Sequence, residues 1–178
     1  MPNPSLRVLL LGATGTIGRA TAAALVAAGH EVVAVVRPGS AGPEGCARLE
    51  ADVTAPGALA AAIGAARFDA VISCLASRTG APRDAWAIDH RANSLSLAAA
   101  LAADIPRFVL LSAICVQRPL LELQRAKLAF EAELQAEAIK WSIVRPTAFF
   151  KSLSGQVARV KAGRPFLVFG DGRLTACK

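Results

Sequence analysis

The sequence predicts an α/β chain built on a doubly wound parallel sheet, and three observations carry that reading. Apolar runs of strand length alternate with longer alanine- and leucine-rich stretches of helical length. The runs are apolar enough to be covered on both faces, as strands of a parallel sheet are. A glycine-rich turn joins the first run to the first helical stretch. In order, the strands are read at Arg7–Leu11, Glu31–Val36, Arg48–Ala51, Asp69–Cys74, Arg107–Leu111 and Trp141–Val144. Helices are read at Ile17–Ala28, Gly57–Ala66, Ala85–Ala103 and Leu121–Ala138, each supplying a right-handed crossover. In such a fold the ligand lies along the carboxyl ends of the strands, where strand order reverses beside the first one. Functional residues should therefore follow strands.

After Val144 the rhythm changes. A Pro-Thr-Ala-Phe-Phe segment leads to a short helix near Gln156–Lys161, a candidate strand Phe166–Phe169 and a Gly-Asp-Gly turn. The domain reading is one unit over residues 1–146, with 147–178 opening a small substrate region that the chain leaves truncated.

A length of 178 residues suits one core, and a mean hydropathy of +0.45 with 19% charged residues excludes a disordered chain. No run of about 18 apolar residues is unbroken, so no membrane-spanning helix is expected. The start lacks the charged-then-apolar layout of a signal peptide, and a cytoplasmic protein is expected. Cys46, Cys74, Cys115 and Cys177 form no C-x-x-C pair, and no metal site is expected; Cys74 and Cys115 read as small buried residues at strand ends. The net charge of +7 is uneven: residues 140–178 hold eight basic side chains and one acid, Asp171. That segment could meet phosphates, a carboxylated ligand or an anionic membrane surface, and peripheral membrane contact stays open although no amphipathic anchor is evident. Nucleic acid is not expected, because neither a helix-turn-helix layout nor stacking aromatics accompany the charge.

The strongest motif is Gly12-Ala13-Thr14-Gly15-Thr16-Ile17-Gly18, directly after a strand and opening a helix. Gly12 permits the turn, Gly15 lets backbone approach a pyrophosphate, and Gly18 allows close packing of helix on strand. The helix N-terminus offers N–H groups to phosphates. This is the fingerprint of a dinucleotide-binding Rossmann fold, one residue wider than its commonest form. The second strand ends in Arg37 rather than an acid, so a 2′-phosphate is accepted and NADPH is the expected cofactor. Asp52 and Val53 either touch the adenine edge or begin a turn. Cys74, Leu75 and Ala76 follow the fourth strand and Ser112 the fifth, where the cofactor should lie.

The next helix contains Leu123-Gln124-Arg125-Ala126-Lys127. Short-chain dehydrogenases carry Tyr-x-x-x-Lys there, the tyrosine giving a proton to a carbonyl oxygen. Leu123 occupies the tyrosine position, and the chain has no tyrosine at all. Lys127 either anchors the nicotinamide ribose or is an ordinary surface lysine; with Ser112 it is a catalytic candidate. Without the proton donor, carbonyl reduction is disfavoured and hydride addition to a conjugated carbon–carbon double bond is compatible. Arg145, Pro146 and Thr147 form a turn that faces the nicotinamide in extended members of that superfamily. Phe149 and Phe150 either line a flat substrate pocket or fill the core.

The segments SCLASRTG (73–80), LLSAICVQRPLLELQRAKLAFEAEL (110–134), IVRPTAFFKSLSGQV (143–157) and FGDGRLTACK (169–178) together resemble the divinyl chlorophyllide a 8-vinyl reductases, atypical short-chain dehydrogenases of photosynthetic organisms. The resemblance implies NADPH-dependent reduction of the 8-vinyl group of a magnesium divinyl chlorophyllide, or its protochlorophyllide precursor, to ethyl. It implies Gly12, Gly15 and Gly18 at the pyrophosphate, Arg37 at the 2′-phosphate and Lys127 at the ribose. Ser112 and Cys115 would line the nicotinamide pocket, and the substrate would be a small-molecule tetrapyrrole. Lys151, Arg159 and Lys161 would either attract its propionate or stay solvated. Two rival readings remain open: a non-catalytic NADPH sensor, and a reductase of another conjugated double bond.

Overall fold

The computed structural model describes residues 4–147 and 154–167. Six strands, β1 (Arg7–Leu11), β2 (Glu31–Val36), β3 (Ala47–Glu50), β4 (Ala70–Ser73), β5 (Arg107–Leu111) and β6 (Lys140–Val144), form one parallel sheet in the order β3-β2-β1-β4-β5-β6. The order reverses between β1 and β4, the doubly wound arrangement read from the sequence. Leu11 pairs with Ser73, so these two strands end level with each other at the switch point.

Side chains alternate along each strand, and that alternation divides the core. Leu9, Leu11, Val33, Val35 and Val71 pack on one face with helices α2 (Ala58–Ile63), α4 (Asn93–Ala102) and α5 (Glu122–Ala136). Leu10, Val32, Ala34 and Val36 turn to the other, where Ala22 of α1 (Thr16–Ala27) covers them. Phe130 of α5 meets Phe108 of β5 with ring centroids 5.8 Å apart, and both are fully buried. Truncating either to alanine would cost about 3–5 kcal/mol, so this pair clamps α5 to the sheet.

Three expectations are corrected. Strands β3 and β6 are largely exposed rather than covered on both faces, because they are the sheet edges; Leu49 and Ile143 alone of their residues pack against the described core. The single helix expected over Ala85–Ala103 is three pieces: a turn of α-helix, α3 (Pro82–Ala85), a π-helical segment Trp86–Ala92, and α4. A π turn widens the backbone and leaves carbonyls without their usual partners. Asn93 meets that need, its amide donating to the Ile88 and Asp89 carbonyls at 3.2 and 3.1 Å. Phe166 and Leu167 are not in a strand; Val168, Phe169 and the Gly-Asp-Gly turn lie outside the described residues. The short helix is present as α6 (Ser154–Lys161).

Candidate functional site

The glycine turn is built against the end of β4. Gly12 has φ +69°, and a Cβ there would lie 2.5 Å from the Cys74 carbonyl oxygen. Gly18 sits so close to the turn that a Cβ would come within 2.1 Å of the Gly12 carbonyl oxygen. Gly15 differs. It precedes α1 with extended backbone, and beyond the Gly12 carbonyl at 3.3 Å a Cβ there would enter open space. The turn is fastened by Gly15 N–H to the Gly12 carbonyl at 3.0 Å and by Arg19 Nε to the Thr14 carbonyl at 2.9 Å. Thr14 and Thr16 are exposed and Ile17 is half-buried, all at the mouth of α1, whose start has no side-chain cap. An uncapped helix start beside open space is an anion-binding geometry.

Arg37 is exposed at the end of β2, its carbonyl accepting the Ser40 N–H at 2.9 Å. Asp52, after β3, makes a turn: its carboxylate accepts the Thr54 hydroxyl at 2.7 Å and the Thr54 N–H at 2.9 Å. Those bonds hold its carboxyl below the usual range, with a smaller contribution from the nearby Arg37 charge. Asp52 thus forms a turn with Thr54, and half-buried Val53 packs against the core.

At the end of β4, Cys74 is half-buried with Sγ 3.8 Å from Thr21 Oγ1, and burial pushes its thiol up. Leu75 is half-buried and Ala76 exposed. At the end of β5, the Ser112 N–H bonds the Val144 carbonyl at 2.8 Å, and its buried hydroxyl has no partner among the described residues. Cys115 is corrected: it is exposed, not buried, and lies beyond the strand in a left-handed turn with φ 64°. Ile114 N–H to the Pro146 carbonyl, 3.0 Å, draws the Arg145-Pro146-Thr147 segment alongside this turn. Arg145 itself is engaged by Glu131 of α5 through both Nε and Nη2, bonds that raise its already high pKa. Phe149 and Phe150 lie outside the described residues.

Lys127 is not a surface lysine. It is 5% exposed, with Nζ 3.0 Å from Asp89 Oδ1 and 3.4 Å from the Leu111 carbonyl. One turn earlier, half-buried Leu123 stands 4.0 Å from the Cβ position of Gly80. There an open cleft of about 510 Å³ lies between the loop after β4 and the start of α5, lined by Thr79, Pro82, Leu120, Leu121, Leu123 and Arg125. Leu120 and Leu121 are exposed in it. Glu122 ties its rim, accepting Trp86 Nε1 at 3.0 Å and pairing with Arg125; these bonds hold its carboxyl below the usual range. Asp84 holds the opposing loop by accepting the Thr79 N–H and hydroxyl, each at 2.9 Å.

Sequence reasoning missed Asp89, Asn93 and Glu131, all buried. Their signal is position: Asp89 and Asn93 interrupt the apolar stripe of one helix, and Lys127 and Glu131 that of another, each pair four residues apart. Among the described residues, no cluster of His, Cys, Asp or Glu could hold a metal ion, and no helix is long and apolar enough to cross a membrane. The donors present suit a dinucleotide: an uncapped helix start, a glycine that admits a ligand, a cation after β2, and an unpartnered buried hydroxyl at Ser112.

The chain is 52% identical over 189 aligned residues to the divinyl chlorophyllide a 8-vinyl-reductase, chloroplastic, of Oryza sativa subsp. indica, a match covering 96% of this chain and 47% of that protein. The protein of the same name from Zea mays is 47% identical over 196 residues, covering 100% of this chain and 49% of its own. The chain therefore spans about half the length of the curated relatives it matches. Among solved structures, a short-chain dehydrogenase/reductase superfamily protein of Agrobacterium tumefaciens with bound NAD superposes with a TM-score of 0.63 at 26% identity, covering 78% of this chain and 48% of that one. With the family described as NAD(P)H-binding matching residues 12–171, nearly the whole chain, this protein belongs to that family.

Proposed function

We propose that the chain carries the NADPH site of a reductase that converts the 8-vinyl group of divinyl chlorophyllide a, or its protochlorophyllide precursor, to ethyl. The observation that carries this reading is Leu123, an apolar side chain where a carbonyl reductase keeps its proton donor, one turn from a buried, charge-paired Lys127. When bound, NADPH supplies the hydride. Hydride addition to a conjugated vinyl group leaves negative charge spread over the macrocycle, so no acid is needed beside a developing oxyanion, and a proton from water or another residue then completes the ethyl group. The names of relatives about half identical to the chain support the same substrate.

In this reading Gly12, Gly15 and Gly18, with Thr14, Thr16 and Ile17 at the helix start, hold the pyrophosphate. Arg37 forks onto the 2′-phosphate and makes NADPH preferred over NADH. Val53, Cys74, Leu75 and Ala76 flank the adenosine half. Lys127 and Ser112 hold the nicotinamide ribose and amide, with Arg145, Pro146 and Thr147 closing that end. Cys115, Phe149 and Phe150 face the substrate. The cleft lined by Leu120, Leu121 and Leu123 seats the flat macrocycle by apolar contact, and Arg125 in the same lining suits the substrate carboxylate. Residues 1–146 form the cofactor domain and 147–178 open the substrate-binding region. The site works in an aqueous compartment, cytoplasmic in the sequence reading, beside a pigment-bearing membrane.

The test is to incubate the chain, and a chimera joining it to the C-terminal half of the rice relative, with magnesium divinyl chlorophyllide and NADPH, then separate products by chromatography. Monovinyl product from either, and little with NADH, is expected. NADPH binding without product from either form would overturn the vinyl-reductase reading and favour a sensor or another conjugated substrate.

A further inference from the structure

The buried carboxylate of Asp89 belongs to none of the roles above. It lies in the π-helical segment, fully buried, with its two oxygens serving different elements. Oδ1 meets Lys127 Nζ at 3.0 Å, and Oδ2 accepts the Ser77 N–H, 3.2 Å away in the loop after β4. Its own backbone is held in turn. The Asn93 amide donates to the Asp89 carbonyl, and Asn93 Oδ1 accepts the Ser73 hydroxyl at 2.6 Å. One polar chain therefore runs from the end of β4 through the wide turn to the lysine on α5.

A buried carboxylate and ammonium are costly to desolvate, and apolar side chains of the same volume would pack there at least as stably. Such a pair is better explained by what its charge does. Lys127 Nζ pairs with Asp89 Oδ1 by charge at 3.0 Å and donates a long hydrogen bond to the Leu111 carbonyl at 3.4 Å, while Asp89 Oδ1 itself lacks a hydrogen-bond partner among the described residues, so the ammonium keeps donors for a ligand. The buried hydroxyls of Ser77, whose N–H donates to Asp89, and of Ser112, next in sequence to the Leu111 that accepts from Lys127, lack partners among the described residues. Native buried hydroxyls are nearly always satisfied, so a polar ligand belongs here. In the described residues the other buried acid nearby, Glu131, is committed to Arg145 and does not compete for the lysine.

We propose that Asp89 is a positioning residue: its charge orients the Lys127 ammonium so that a lysine donor meets the cofactor ribose. This rests on the cofactor site proposed above. The test is fluorescence titration of NADPH into the unaltered chain, Asp89→Asn, Lys127→Met and the double variant, with melting temperatures measured in parallel. Asp89→Asn and Lys127→Met should each raise the NADPH Kd about tenfold, and the double variant no further than Lys127→Met alone. Asp89→Glu should recover part of the loss. A change in melting temperature with an unaltered Kd would overturn the proposal, because a merely structural carboxylate predicts that. Losses that multiply in the double variant would overturn it as well, since Asp89 would then act without the lysine. If Asp89→Asn does not fold, the comparison of the double variant with Lys127→Met decides in the same way. Failure of the unaltered chain to bind NADPH would instead refute the cofactor site, and this inference with it.

Discussion

Gly15 and Gly18 belong to one motif, yet alanine at each should fail differently. At Gly18 the new Cβ would stand 2.1 Å from the Gly12 carbonyl oxygen and 2.8 Å from the Ala13 Cα, backbone that no rotamer change can clear. Overpacking of that kind costs about 3 kcal/mol. Replacing glycine by alanine inside a helix returns about 1 kcal/mol, so a net loss of about 2 kcal/mol is expected. For a chain of this size that lowers Tm by roughly 4–8 °C. At Gly15 the backbone, φ −73° and ψ 173°, already suits alanine, and among the described residues the one close atom is the Gly12 carbonyl oxygen, 3.3 Å away. Melting should shift by no more than about 2 °C. The methyl would instead fill the space a pyrophosphate must enter, removing one charge-assisted hydrogen bond worth about 1.5–3 kcal/mol. NADPH Kd should rise roughly 10- to 100-fold. Differential scanning fluorimetry and NADPH fluorescence titration on both variants separate the effects. Unchanged affinity in Gly15→Ala, or unchanged melting in Gly18→Ala, would refute the division of labour between the two glycines.

Other outcomes follow from the same geometry. Arg37→Ala should weaken NADPH about tenfold while leaving NADH binding unchanged, as calorimetry with the two nucleotides would record. Glu131→Gln should lower stability by about 2 kcal/mol, read by urea denaturation; the loss sits below that of a fully buried pair because the Arg145 side chain is 33% exposed. Asp84 is held below its ordinary pKa of 3.8 mainly by hydrogen bonds from Thr79, so its contribution is present above that value and lost as pH falls through the lower folded one. Amide protection in the loop over the cleft, measured relative to the intrinsic exchange rate at each pH, should accordingly hold to pH 4 and fall only in stronger acid, whereas Asp84→Asn should lower it at neutral pH.

The strand order and the glycine turn were legible because both depend on local pattern. Apolar runs bounded by turns mark β1, β2 and β5 to the residue, and the glycine spacing directly after β1 places the helix start. What could not be read depends on contacts between distant segments. Nothing local distinguishes Lys127 on a buried face from a solvated lysine until Asp89 is brought beside it. The π turn is equally hidden, since one residue of extra width leaves the apolar spacing of that helix almost unchanged. Cys115 was misread for a related reason: its hydropathy suits a core, but the chain has already left β5 and turns left-handed there. The even apolarity of the strands likewise concealed which of them, β3 and β6, stand at the edges.

Helix α5 carries a cation and an anion one turn apart, Lys127 answering Asp89 and Glu131 answering Arg145. The two pairs have opposite polarity and reach different parts of the fold, so they act as a two-pin key. Sliding the helix by one residue would rotate both pins by about 100° and strand each from its partner. Leaving a buried ion unpaired costs about 3–5 kcal/mol, and even with one pin partly solvated the combined penalty rivals much of the stability of an ordinary domain. The same slide would turn the buried Phe130 and Leu134 out of the core, so the charge pairs add their penalty to a register that apolar packing already favours. Lys127 therefore reaches its place beside Asp89 as part of folding itself.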